Sequence, residues 1–147
     1  MFMGEYSHSL DQKGRLIVPA KFRDALGGKF YITRSLDPCL LIYDQEGWDK
    51  FSERLMNMPY NSQKQRELVR FFIGGAAEVE PDKQGRFILP PPLRKYGTID
   101  KDVVFVGTGQ RAELWSAEKY GAYEETKDSV EEFNRYAEEL LGNGVEF

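Results

Sequence analysis

Histidine and cysteine are almost missing from this chain: His8 and Cys39 are the only ones in 147 residues. One cysteine forms no internal disulfide. One histidine with one cysteine falls short of the ligands a zinc site needs. A histidine-based nucleophile triad could be built only around His8, and no Gly-x-Ser-x-Gly turn accompanies it. Cys39 lies in the apolar run CLLIY with no activating base beside it, which reads as a small buried strand residue. His8 reads as a packing or hydrogen-bonding group at a strand end. Neither a phosphate-binding loop nor a dinucleotide fingerprint is present. The longest apolar runs are about five residues, against the ~20 that span a bilayer. The opening MFMGEYSHSLD has no basic stretch followed by an apolar core, so no signal peptide is expected. These absences point to a cytoplasmic protein that binds rather than catalyses. No cofactor, metal, membrane or small-molecule substrate is expected.

Basic residues are outnumbered, 20 against 24 acids, for a net charge of −4. Its distribution matters more. Residues 117–147 hold nine acids against three bases, so residues 1–116 carry +2. Acidity is concentrated at the C-terminal end, and a mildly basic body permits a local positive face.

What the chain does have is a phrase stated twice. Residues 11–23 read DQKGRLIVPAKFR and residues 82–94 read DKQGRFILPPPLR. At an offset of 71, Asp11 falls on Asp82, Gly14 on Gly85, Arg15 on Arg86, Ile17 on Ile88, Pro19 on Pro90 and Arg23 on Arg94. Gly4 likewise falls on Gly75, and with a one-residue adjustment 41–51 matches 113–123. A unit of about 70 residues is doubled, too long a period for a solenoid or propeller. Each copy is near the lower limit for burying a core alone. One domain with a shared core is therefore expected, with repeats over about 1–73 and 74–147.

The spacing predicts strands over 3–9, 15–18, 29–34 and 39–43 in the first copy. In the second it predicts 76–80, 86–89, 103–106 and 112–115. Short helical turns start at Pro19 and Pro91 and are closed by Gly27-Gly28 and Gly97. Asp44 is expected to cap a helix over about 45–57, and Ser62 with Gln65 resembles a capping box opening a second helix. Ser116 caps the final helical region, which Gly121 is expected to divide. There Val130, Phe133, Ala137 and Leu140 line one face, as in a helix that lies on something or pairs with a neighbour.

Asp11-Gln12-Lys13-Gly14 suits a type I turn, and Asp82 to Gly85 repeats it. A structural reading is that Asp caps the turn, Gly permits the backbone and Arg pairs with Asp. A functional reading is that Arg15 and Arg86 contact a partner. Arginine suits bidentate contact with guanine edges and also binds phosphate. Lys13, Lys21 and Arg23 cluster near the first turn, and Lys83, Arg94 and Lys95 near the second.

The opening MFMGEYSHSLDQKGRLIVPAKFR, with DKQGR in the second half, closely resembles the MraZ family of bacterial transcriptional regulators. The resemblance runs from residue 1 through the final helix. It implies an α+β fold: a double-split, swapped-hairpin β-barrel of the AbrB type, built from two internal repeats and flanked by helices. It implies a nucleoid-associated, sequence-specific DNA-binding regulator of the division and cell-wall gene cluster. Such a protein binds direct repeats in its own promoter on double-stranded DNA, as a ring homo-oligomer of about eight subunits. The family's DNA-contacting arginine falls on Arg15 and, in the second copy, on Arg86. Lys13 shares the first loop; Gln84 stands at its counterpart, and Lys83 supplies the second loop's lysine. Pro91-Pro92 replaces Ala20-Lys21, so the first turn is expected to contribute more. The alternative is a ring-forming scaffold for protein partners, without direct DNA readout. An enzyme is not expected.

Overall fold

The computed structural model describes residues 1–59, 62–127 and 129–146. The first half runs β1 (Phe2–Ser9), β2 (Arg15–Ile17), α1 (Ala20–Leu26), β3 (Phe30–Arg34), β4 (Leu40–Tyr43), α2 (Gln45–Met56) and α3 (Gln63–Phe72). The second repeats that order as β5 (Ala77–Val79), β6 (Arg86–Ile88), α4 (Pro91–Tyr96), β7 (Asp102–Gly109), β8 (Ala112–Ser116), α5 (Ala117–Glu125) and α6 (Val130–Gly142). The fold is α+β.

Six strands form one antiparallel sheet in the order β1-β7-β8-β4-β3-β5. Replacing each strand by its counterpart in the other half gives the same order reversed. The pseudo-two-fold axis therefore passes between β4 and β8, where Leu41 faces Glu113. Each half hands its first strand to the other: β1 pairs with β7, and β5 with β3. Gly4 faces Gly107 in the first of these ladders, and a Cβ at Gly107 would strike the Met3 backbone. The remaining strands, β2 and β6, pair with each other as a separate two-stranded ribbon.

The hydrogen bonds do not close a barrel, which corrects one part of the expected fold. Each ribbon strand has three residues, and Pro19 and Pro90 follow two positions later without an N–H to extend the ladder. The ribbon packs against the sheet instead. Its inner residues Leu16 and Phe87 are buried in a cluster with Phe22, Phe30, Leu93 and Phe105, drawn from both halves. Phe87 meets Phe30 edge-to-face at 5.2 Å, the geometry aromatic pairs favour.

Local expectations mostly hold. Asp44 accepts from Gly47 N at 2.7 Å, and Ser116 from Lys119 N at 3.3 Å. Three details differ. Ser62 caps through Gln65 N, but the buried Gln65 side chain donates to the Leu55 carbonyl, so the capping box is only half formed. β7 extends well beyond 103–106, because pairing with β1 carries it through Gly109. Gly121 lies inside α5, and the helix ends at Glu125 with Thr126 as its C-cap instead.

The halves diverge in their last helices. Phe72 of α3 is buried with Leu41, Tyr43 and Leu55. Its counterpart α6 buries no residue: Phe133, Leu140 and Leu141 are 44%, 44% and 51% exposed. The amphipathic face expected from sequence is real, and nothing among the described residues covers it.

Candidate nucleic-acid interface

The two turns have the same construction. Asp11 Oδ1 accepts from the backbone N–H of Lys13 and of Arg15, both at 2.9 Å, and Oδ2 accepts from Arg15 Nε at 2.7 Å. Asp82 Oδ1 accepts from Gln84 N and Arg86 N, both at 2.9 Å, and Oδ2 from Arg86 Nε at 2.8 Å. Gly14 N donates to the Asp11 carbonyl and Gly85 N to that of Asp82, closing each turn. Both glycines have positive φ, 75° and 78°, which a side chain would strain. The structural reading of the turn is thus correct in both copies, and it leaves the guanidinium available. Only Nε is engaged; among the described residues the Nη groups of Arg15 and Arg86 donate to nothing.

The carboxylates respond to this environment. The Arg15 backbone N–H, above all, holds the Asp11 carboxyl below its ordinary 3.8, and the Arg15 side chain adds to the effect. Asp82 is lowered in the same way by Arg86. A group whose folded pKa is depressed stabilises the fold above its unfolded value and loses that contribution as pH falls through the folded one. Carboxyl carbon resonances of Asp11 and Asp82 should therefore titrate below pH 3.8, with the Arg15 and Arg86 Nε resonances moving at the same midpoints. Midpoints at or above that value would refute the pairing.

The ribbon register brings the two arginines together. Arg15 stands opposite Ile88, Leu16 opposite Phe87, and Ile17 opposite Arg86. Side chains alternate across a strand, so Arg15, Ile17, Arg86 and Ile88 share the outer face while Leu16 and Phe87 point inward. Diagonal partners of this kind sit about 7–8 Å apart at the backbone. Lys13 and Lys83 are exposed and occupy different positions, Lys13 third in its turn and Lys83 second.

Arg23 and Arg94 stand elsewhere than the sequence suggests. Sequence proximity groups each with its own half's turn, yet each packs on the opposite one. Arg94 Nη1 lies 3.5 Å from where a Gly14 Cβ would be, and Arg23 covers Gly85. Backbone bonds cross as well, Val18 N to the Gly85 carbonyl and Leu89 N to that of Gly14. Arg23 Nε donates to the Val18 carbonyl and Arg94 Nε to that of Ile99, so both are partly spent on structure. A hollow beside the first turn is lined by Lys13, Gly14, Ile88, Arg94 and Lys95, residues from both halves.

No comparable chemistry lies elsewhere among the described residues. His8 is half-buried edge-on to Phe105, and burial lowers its pKa. Burial pushes the Cys39 thiol up to about 12, which leaves it un-ionised at neutral pH. Among the described residues no group of three or more His, Cys, Asp or Glu could hold a metal, and no helix is long and apolar enough to cross a membrane.

Comparison with known proteins agrees with the doubled design. The profile of the MraZ protein family matches residues 1–71 and again 72–143. The chain is 46% identical over 145 residues to a protein of Syntrophomonas wolfei named transcriptional regulator MraZ, covering 99% of this chain and 100% of that one. The proteins of that name from Halothermothrix orenii and Moorella thermoacetica are 48% and 49% identical, over 95% and 89% of this chain and 99% and 92% of theirs. With two tandem matches and relatives this similar from end to end, the chain belongs to the MraZ family.

Proposed function

We propose that this protein is a DNA-binding transcriptional regulator, without enzymatic activity, that reads direct repeats in its own promoter through the outer face of the β2–β6 ribbon. Its place is the cytoplasm, at the nucleoid, on the division and cell-wall gene cluster. One observation carries the reading: two arginines, each pinned through Nε by its own aspartate, stand at diagonal positions on the outer face of one ribbon with their Nη groups unengaged among the described residues. A guanidinium held in one pose loses less entropy on binding and suits the paired acceptors of guanine in the major groove. A two-stranded ribbon is narrow enough to enter that groove. Lys13 and Lys83 flank it and suit phosphate. The exchange of β1 and β5 between halves supports kinship with swapped-hairpin AbrB-type folds. It also supports treating residues 1–147 as one domain of two repeats joined near 73–74.

The ends of the halves support assembly into a ring, of about eight subunits as the family resemblance implies. α6 has an exposed apolar face and, off that face, four glutamates against Arg135. α3 carries Lys64, Arg66 and Arg70 against Glu67. Contact between α6 of one subunit and the α3 end of the next joins unlike surfaces, and such heterologous contacts give a ring where the rotation between subunits closes. Each subunit then grips one repeat weakly, and the ring raises the effective concentration at the next. Gel shifts with one, two, three and four repeats test this together with light scattering. Affinity should rise steeply with repeat number and fall with salt. A Phe133→Glu/Leu140→Glu variant should scatter as a smaller species and lose the gain from added repeats. Equal affinity for one repeat and four, or no salt dependence, would overturn the reading.

A further inference from the structure

We propose that Ile17 and Ile88 are specificity-determining residues of this surface, making apolar contact with the C5-methyl group of thymines beside the bases met by Arg15 and Arg86. The inference rests on the DNA-binding reading above and adds to it a requirement for thymine.

The ribbon has an inner face that is fully apolar and an outer face that should be polar. At the two symmetry-related outer positions stand isoleucines, 41% and 62% exposed. A single exposed apolar residue is ordinary. Here the same residue type recurs at both copies, and each one is directly opposite an arginine of the other strand. The face therefore alternates cation and apolar group in both directions: Arg15 next to Ile88, Arg86 next to Ile17. Ile88 also borders a hollow where Lys13, Arg94 and Lys95 stand beside Leu89, Pro91 and Ile99, so cations and apolar groups meet there too. Such a surface suits a polyanion that offers small apolar spots at fixed places.

Double-stranded DNA has one such spot in the major groove. Guanine presents two acceptors there, and thymine presents a methyl group beside one acceptor. The scales agree as well. Alternate residues on a strand are about 6.8 Å apart, and successive bases on one strand rise about 3.4 Å. An arginine on guanine thus places the neighbouring isoleucine within about two base steps, at a methyl if the base is thymine.

The test replaces thymine by deoxyuridine, which lacks the methyl group and keeps every polar atom of the base edge. A duplex carrying the repeats from upstream of the coding sequence is compared with the same duplex bearing uracil at the thymines. Wild-type protein should bind the uracil duplex about fourfold more weakly for each thymine methyl that an isoleucine covers. An Ile17→Ala/Ile88→Ala variant should bind both duplexes alike. Both isoleucines are exposed, so the variant should fold, and Ile17→Val/Ile88→Val should restore most of the difference. Wild-type indifference to uracil overturns the inference, as does an alanine variant that keeps the difference. A changed oligomeric state in the alanine variant overturns it too, by assigning the face to contact between copies. The DNA reading fails separately, by absence of binding to the thymine duplex or by full binding after loss of Arg15 and Arg86.

Discussion

Replacing Arg15 and Arg86 together by alanine should lower affinity for a four-repeat promoter duplex by roughly 100-fold or more, with fold and oligomer unchanged. The size follows from the kind of contact. A good bidentate pair is worth about 1–3 kcal/mol of discrimination, and about 1.4 kcal/mol is tenfold in affinity. Two such contacts per subunit, repeated around the proposed ring, would compound. Neither side chain supports the core, since Leu16 and Phe87 carry the inner face of the ribbon. Arg15→Ala should be the costlier single change, because Lys13 and Lys95 border the hollow beside its turn. Alanine at Lys13 or Lys83 should act differently, weakening binding to all sequences alike and flattening the salt dependence. Binding by the double arginine variant at wild-type strength would remove these residues from the interface.

Phe87→Ala should destabilise the fold by about 3–5 kcal/mol, the cost of truncating a buried aromatic. That is a large part of the ~5–15 kcal/mol that holds a domain together, and a fall in Tm of roughly 10 °C should accompany it. Phe87 is 4% exposed and touches Phe30 across the boundary between halves. Its loss would open a void beneath the ribbon and free the strand that carries Arg86. Urea unfolding measures the effect. A cost under ~1 kcal/mol would mean that the ribbon is not anchored through this ring.

How much of this is legible in the sequence depends on range. Asp11 with Gly14, Asp44 and Ser116 act within four residues, and their roles are written in residue type and spacing. The alternation of Arg15-Leu16-Ile17-Val18 also marks which side chains face outward, although nothing local distinguishes Ile17 and Ile88 from ordinary strand residues. Contacts that cross between halves are not legible. Nothing local tells Arg94 to rest on the Gly14 turn rather than its own, because the exchange of strands decides it. The length of β7 is hidden for the same reason, since its partner β1 lies almost a hundred residues away. For α6 the apolar stripe is visible, but whether the chain itself covers it is not.

The crossed support of the turns has a consequence for grammar on DNA. Because Arg23 props the second turn and Arg94 the first, neither half can form its contact surface alone. Two separate identical chains joined in this way would be strictly symmetric, and would suit an operator reading the same on both strands. Fusion into one chain lifts that constraint. Lys13 has Gln84 as its counterpart, and Ala20-Lys21 has Pro91-Pro92, so the two ends of the ribbon are no longer interchangeable. A subunit of this kind has a left and a right. If the ribbon reads DNA as proposed, sites repeated in one orientation should be bound in preference to inverted ones.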